Sequence, residues 1–142
     1  MALIVDTGPL YAAMDRKDRA HKACATLLEE SVEPLVVPSA VVVELDWLAA
    51  SRLGPQAFDL FLESVVEGAV IVEDLVAEDY RRVRELCMRY ADLPLGYVDA
   101  TVVAVAERLG EKRIATLDRR HFGIVKPRHV RSFQLLPASH CS

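Results

Sequence analysis

"LIVDTGPLY", residues 3–11, decides how the rest of the chain is read. Leu3, Ile4 and Val5 form an unbroken apolar run that stops after three residues, without the polar alternation of a half-exposed strand. A strand apolar throughout is one buried on both faces, as in a parallel sheet covered by helices. The run closes on a carboxylate, Asp6, before Thr7, Gly8 and Pro9 turn the chain. Pro9 suits the start of a helix, where its missing N–H has no partner to lose. "RIATLD", residues 113–118, does the same thing again: a short apolar run that ends on Asp118.

Outward from this first strand, helical and strand-like segments alternate. A helix is expected over about 18–30, then a short strand "PLVVP" at 34–38. Ser39 is placed to cap the helix "AVVVELDWLAASRL", which Gly54 would end. Pro55 opens another helix to about Glu67, followed by strand "AVIVE" at 69–73 and an amphipathic helix over 77–91. "LPLGY" reads as a loop, "VDATVVAVAERL" as a helix closed by Gly110, and "RIATL" as the fourth strand. "SFQLL", at 132–136, is a candidate fifth. The pattern predicts an α/β domain over residues 1–136 with a mostly parallel sheet of four to five short strands, and a short tail at 137–142. In such sheets ligands gather beyond the carboxyl ends of the strands, where Asp6 and Asp118 both fall.

Composition narrows the class. With 142 residues and 52% hydrophobic content the chain can bury an ordinary single core. Its longest apolar stretches contain acids and fall short of a membrane span, so no membrane association is expected. No basic n-region or apolar h-region marks a secretory signal, and a cytoplasmic location is expected. Cys24, Cys87 and Cys141 are widely spaced and match no ligand pattern, so they read as reduced thiols. The net charge of −4 argues against generic nucleic-acid binding, yet 8 of the 17 Lys and Arg residues lie between Arg108 and Arg131.

Two further acids stand among apolar neighbours. Glu44 lies within "AVVVELDWL", and Asp99 in the first turn of "YVDATVVAVA". Each has an ordinary explanation: an Asx-turn for Asp6, a turn start for Asp118, a favourable helix N-terminus for Asp99, a rim position for Glu44. Four together ask for more. Two carboxylates ~5 Å apart repel by about 3 kcal/mol at an effective dielectric of 20. A cluster therefore requires a cation or protonation, and oxygen donors suit Mg²⁺ or Mn²⁺. Such an ion would activate a water and stabilise charge on a phosphoryl oxygen.

"LIVDTGPLYAAMD", "VPSAVVVELDWL", "LPLGYVDATVVAVAERLG" and "RIATLDRRHFGIV" together resemble the motifs of PIN-domain ribonucleases, in particular the VapC toxins of toxin–antitoxin pairs. The likeness covers about residues 2–136. It implies a three-layer α/β/α sandwich and Mg²⁺- or Mn²⁺-dependent endonuclease activity on RNA. Carried onto this chain, the acidic quartet falls on Asp6, Glu44, Asp99 and Asp118. Thr116 matches the small hydroxyl residue that orients an acid or a water, and Thr7 is placed to act similarly beside Asp6. Arg120 stands where many relatives carry a further acid. Asp46 and Asp92 lie nearby and are not expected to join the site.

The same resemblance implies a cognate antitoxin and a homodimer, with heterotetramers or larger assemblies when the antitoxin binds. Trp47, Leu48, Phe58, Phe61 and Leu62 offer a surplus of large apolar side chains for that partner. Arg119, Arg120 and His121 follow Asp118 directly and are expected to meet the RNA phosphates. Two rival readings are a receiver-type phosphotransfer domain and a non-catalytic PIN-like interaction module. A receiver would want paired acids after the first strand, where this chain has Asp6-Thr7.

Overall fold

Strand β1, Leu3–Val5, is buried along its whole length and lies in the middle of the sheet. A computed structural model describes residues 1–138. After β1 come α1 (Thr7–Met14), α2 (His21–Glu29), β2 (Leu35–Pro38), α3 (Ser39–Arg52), α4 (Pro55–Val66) and β3 (Val70–Glu73). The second half holds α5 (Ala77–Arg89), α6 (Tyr97–Leu109), β4 (Arg113–Ala115), α7 (Arg119–Ile124) and β5 (Gln134–Leu136). All four strand pairings are parallel, in the order β3-β2-β1-β4-β5. Ile4 lies beside Val36 on one side and Ile114 on the other. The chain steps outward from β1 in one direction, then returns to build the opposite side. With right-handed crossovers this reversal covers both faces with helices, giving the three-layer α/β/α sandwich.

Strand order also disposes of a rival. A receiver-type sheet runs 2-1-3-4-5, whereas here β1 pairs with β2 and β4. The crevice where the order reverses therefore lies between β1 and β4. Those are the two strands that end toward Asp6 and Asp118.

Helix α6 is the central support. Its residues Ala100 to Ala106 are all buried, so nearly every face of its middle turns is packed. It ends at Gly110, whose φ of 71° is the left-handed conformation a helix C-terminus favours. Ser39 does not cap α3: Pro38 holds the cap position and Ser39 is the first helical residue. Along α3 the buried stripe is Val41, Leu45 and Ala49, which leaves Glu44 off the core and exposed.

Arginines both inside and outside the basic stretch serve the scaffold. Arg82 forms a forked pair with Glu107 at 2.7 and 2.9 Å, joining α5 to α6. Arg108 bonds the buried Asp79 at 3.0 Å, Arg113 pairs with Glu33, and Arg128 with Glu85. Cys24 is buried and Cys87 half-buried, both as free thiols, while Cys141 lies outside the described residues. No helix among the described residues is long and apolar enough to cross a membrane.

Candidate active site

Asp6 ends β1 and occupies the N-cap position of α1. Its carboxylate makes no capping bond to that helix and is buried at the sheet edge. Instead, the Thr116 hydroxyl donates to Asp6 Oδ2 at 2.9 Å. The same hydroxyl oxygen accepts from the Asp118 N–H at 3.0 Å. One small side chain thus fixes the spacing between the acids that follow β1 and β4. Asp6 N–H in turn donates to the Ala115 carbonyl at 2.9 Å, so backbone pairing carries the register into the site.

Asp99 enters from the first turn of α6 and Glu44 from the exposed side of α3. All four acids, with Thr7, Gly8, Leu48 and Leu117, line one open depression of about 540 Å³. Asp46 and Asp92 are exposed and lie outside this lining. The quartet that the resemblance named is therefore one site in space.

The charges shape one another. Burial, then repulsion from Asp99 and Glu44, outweighs the Thr7 and Thr116 hydrogen bonds and pushes the Asp6 pKa to about 6. Burial also raises Asp99, helped by Asp118 and Glu44 and opposed by His121. His121 Nδ1 meets Asp118 Oδ2 at 2.5 Å, and its Nε2 meets the Leu93 carbonyl at 2.9 Å. His121 is thus held at both ring nitrogens by oxygens of the protein. Its pKa is accordingly raised, first by the bond to Asp118. The backbone N–H of His121 also donates to Asp118 Oδ1 at 3.0 Å, making Asp118 the cap of α7.

This donor set fits a hard divalent cation. Carboxylate oxygens of Asp99 and Asp118 converge within 4.8 Å of each other and of the His121 ring, whose nitrogens are themselves engaged by Asp118 and Leu93. Thr7 Oγ1 is buried beside them with no hydrogen-bond partner among the described residues. Oxygen ligands in surplus, with one acid already driven toward protonation, describe a place that gains from a bound cation.

Two groupings differ from the sequence reading. His121 was expected to face RNA phosphates, yet both its nitrogens are engaged within the protein. Arg119 donates to the Pro137 carbonyl and, at 3.5 Å, to that of Leu135, which ties it to the end of β5. Arg120 is exposed and bonds no described side chain. The five apolar residues do not form one surface either: Phe61 is core, and Phe58 stacks on it at 5.7 Å. Leu48 lines the acid depression, which leaves Trp47 and Leu62 exposed. The i,i+3 step from Asp118 to His121 is the one sequence signal that would have joined them, and it required knowing that α7 is a helix.

The PIN domain family matches residues 3–126 of the chain. Ribonuclease VapC26 of Mycobacterium tuberculosis is 33% identical over 135 residues, covering 95% of this chain and all of that protein. Among solved structures, VapC20 of Mycobacterium tuberculosis, a sarcin–ricin-loop-cleaving toxin, superposes with a TM-score of 0.77 at 23% identity, covering 92% of this chain and 99% of that one. DNA-bound VapBC from Salmonella typhimurium gives a TM-score of 0.67 at 15% identity, covering 95% and 96%. Sequence match, shared fold and clustered acids converge, and the chain belongs to the PIN-domain family.

Proposed function

We propose that this protein is a divalent-metal-dependent endoribonuclease and the toxin of a toxin–antitoxin pair. The observation that carries the reading is the meeting of Asp6, Glu44, Asp99 and Asp118, drawn from four separate segments, in one depression at the strand ends. The likeness to a named ribonuclease over nearly the whole chain supports it.

Asp6, Asp99 and Asp118 would hold Mg²⁺ or Mn²⁺, with the exposed Glu44 completing the site from α3. When bound, the cation supplies charge to the phosphoryl oxygen and a more acidic water. Thr116 holds Asp6 and Asp118 in register, and His121 fixes Asp118 and offsets part of the acid charge. Arg120, exposed two residues beyond Asp118, is the basic side chain proposed to meet an approaching phosphate. Asp99→Asn is expected to lower cleavage by roughly a hundredfold or more while circular dichroism stays native. Cleavage at the wild-type rate would overturn the assignment, and a wild-type protein that cuts no RNA with either ion would favour a non-catalytic module.

An antitoxin is the expected partner, and the surface proposed for it lies away from Trp47. A groove of about 750 Å³ runs between α1, α2 and α4, lined by Leu10, Met14, Leu28, Leu60 and Phe61. It suits an apolar segment of a small protein encoded beside this one. A homodimer carrying two such chains is the assembly proposed, to be read by sedimentation.

A further inference from the structure

We propose that Trp47 is a stacking platform that takes an unpaired base beside the phosphodiester to be cut. The proposal rests on the nuclease reading above and adds to it the part of the substrate that is not phosphate.

Trp47 is the chain's single tryptophan and is 69% exposed, next to Val43 at 71%. An indole left in water forgoes a large burial gain, so its position asks for an occupant. On α3 the residues 44, 47 and 48 are neighbours at i, i+3 and i+4, roughly 5–6 Å apart at Cβ. Glu44 and Leu48 both line the acid depression, so the indole stands one helical step from its wall. Leu117, 44% exposed, lines the same depression beside Gly8. The site therefore has an acidic part and an apolar part.

The acidic part, with its cation, addresses a phosphate. Leu48 and Leu117 offer nothing to a phosphate or a ribose hydroxyl, and together with the broad indole face of Trp47 they suit the flat face of a base. The neighbouring cations sharpen the point. Arg119 is held by backbone carbonyls and His121 by Asp118 and Leu93, so of the three residues after Asp118 only Arg120 is unengaged among the described residues. Phosphate contacts alone do not engage this apolar part of the site, so a non-ionic contact is available to the strand there. A base can reach an indole only when it is unstacked, so the substrate is a single-stranded loop or end. A protein partner has a larger apolar concavity available between α1, α2 and α4.

The test uses the single tryptophan as its own reporter. Wild-type protein in Mn²⁺ is mixed with a ten-nucleotide oligoadenylate, or with the same strand made of abasic riboses, and emission is read before cleavage. The oligoadenylate is expected to quench emission by about half or more, the abasic strand hardly at all. Trp47→Ala should raise the KM for RNA cleavage about tenfold, with the loss falling on KM rather than kcat, and Trp47→Phe should restore most of it. Equal responses to the two strands, no response to either, or an unchanged KM in Trp47→Ala would overturn the proposal. A change in sedimentation of Trp47→Ala with an unchanged KM would assign the patch to a protein interface instead. Absence of cleavage by wild type would sink the nuclease reading, while base-dependent quenching would still stand for Trp47.

Discussion

Asp6 shows how one residue can be set against the fold that holds it. Its pKa of about 6 lies above the ordinary 3.8, so the folded protein keeps this proton longer than the unfolded chain does. The associated stability is fully present below about pH 4 and is lost as pH rises through 6. A displacement of that size corresponds to about 3 kcal/mol. Urea denaturation of metal-free protein should therefore show Asp6→Asn gaining up to about 3 kcal/mol over wild type at pH 7 and little at pH 4. Mg²⁺ or Mn²⁺ should raise the wild-type melting temperature and raise that of Asp6→Asn less, because the ion binds the folded state. The acid quartet was legible in the sequence because each member interrupts an apolar run. Asp79 was not: it is only 3% exposed, but it sits in a polar segment, and its partner Arg108 lies 29 residues away. Burial alone does not separate a site acid from a scaffold acid. The partner does.

At the scale of elements, the Arg82–Glu107 fork shows what holds α5 against α6. Both side chains are about nine-tenths buried, and Glu107 also accepts from the Arg128 N–H at 2.8 Å. Removing one partner leaves a buried charge exposed to no water, so Arg82→Met should cost about 3–5 kcal/mol by urea denaturation. Arg82→Met combined with Glu107→Leu should recover most of that loss, since two apolar side chains leave no charge unpaired. Helix and strand order was readable because Gly54, Gly110, Pro9 and Pro55 punctuate it. Helix α7 was not, because six residues are too few to show a period. Its start depends on Asp118 acting as a cap, which only the fold reveals. Ser39 misled for a similar reason: the cap position fell one residue earlier, on Pro38.

For the whole molecule, the separation of two surfaces matters most. The groove between α1, α2 and α4 includes Leu35 and Val70, near the starts of β2 and β3, whereas the acids stand beyond the strands' other ends. A partner in the groove would reach the acids only by extending a further segment across the domain. Leu60, 62% exposed on the groove wall, gives a clean probe. Leu60→Asp should weaken a partner complex tenfold or more by calorimetry, with circular dichroism unchanged. The sequence had pointed to Trp47 and Phe61 as one surface, because apolar counts along two helices do not say which side of each helix is covered. The order of the sheet has a consequence for biosynthesis as well. β1 is made first, yet its neighbour β4 spans residues 113–115 and the last acid is Asp118. On a ribosome, Asp118 is added 112 residues after Asp6. A chain in synthesis lacks its fourth carboxylate until Asp118 has emerged, so the proposed site can assemble only after β4 has been made.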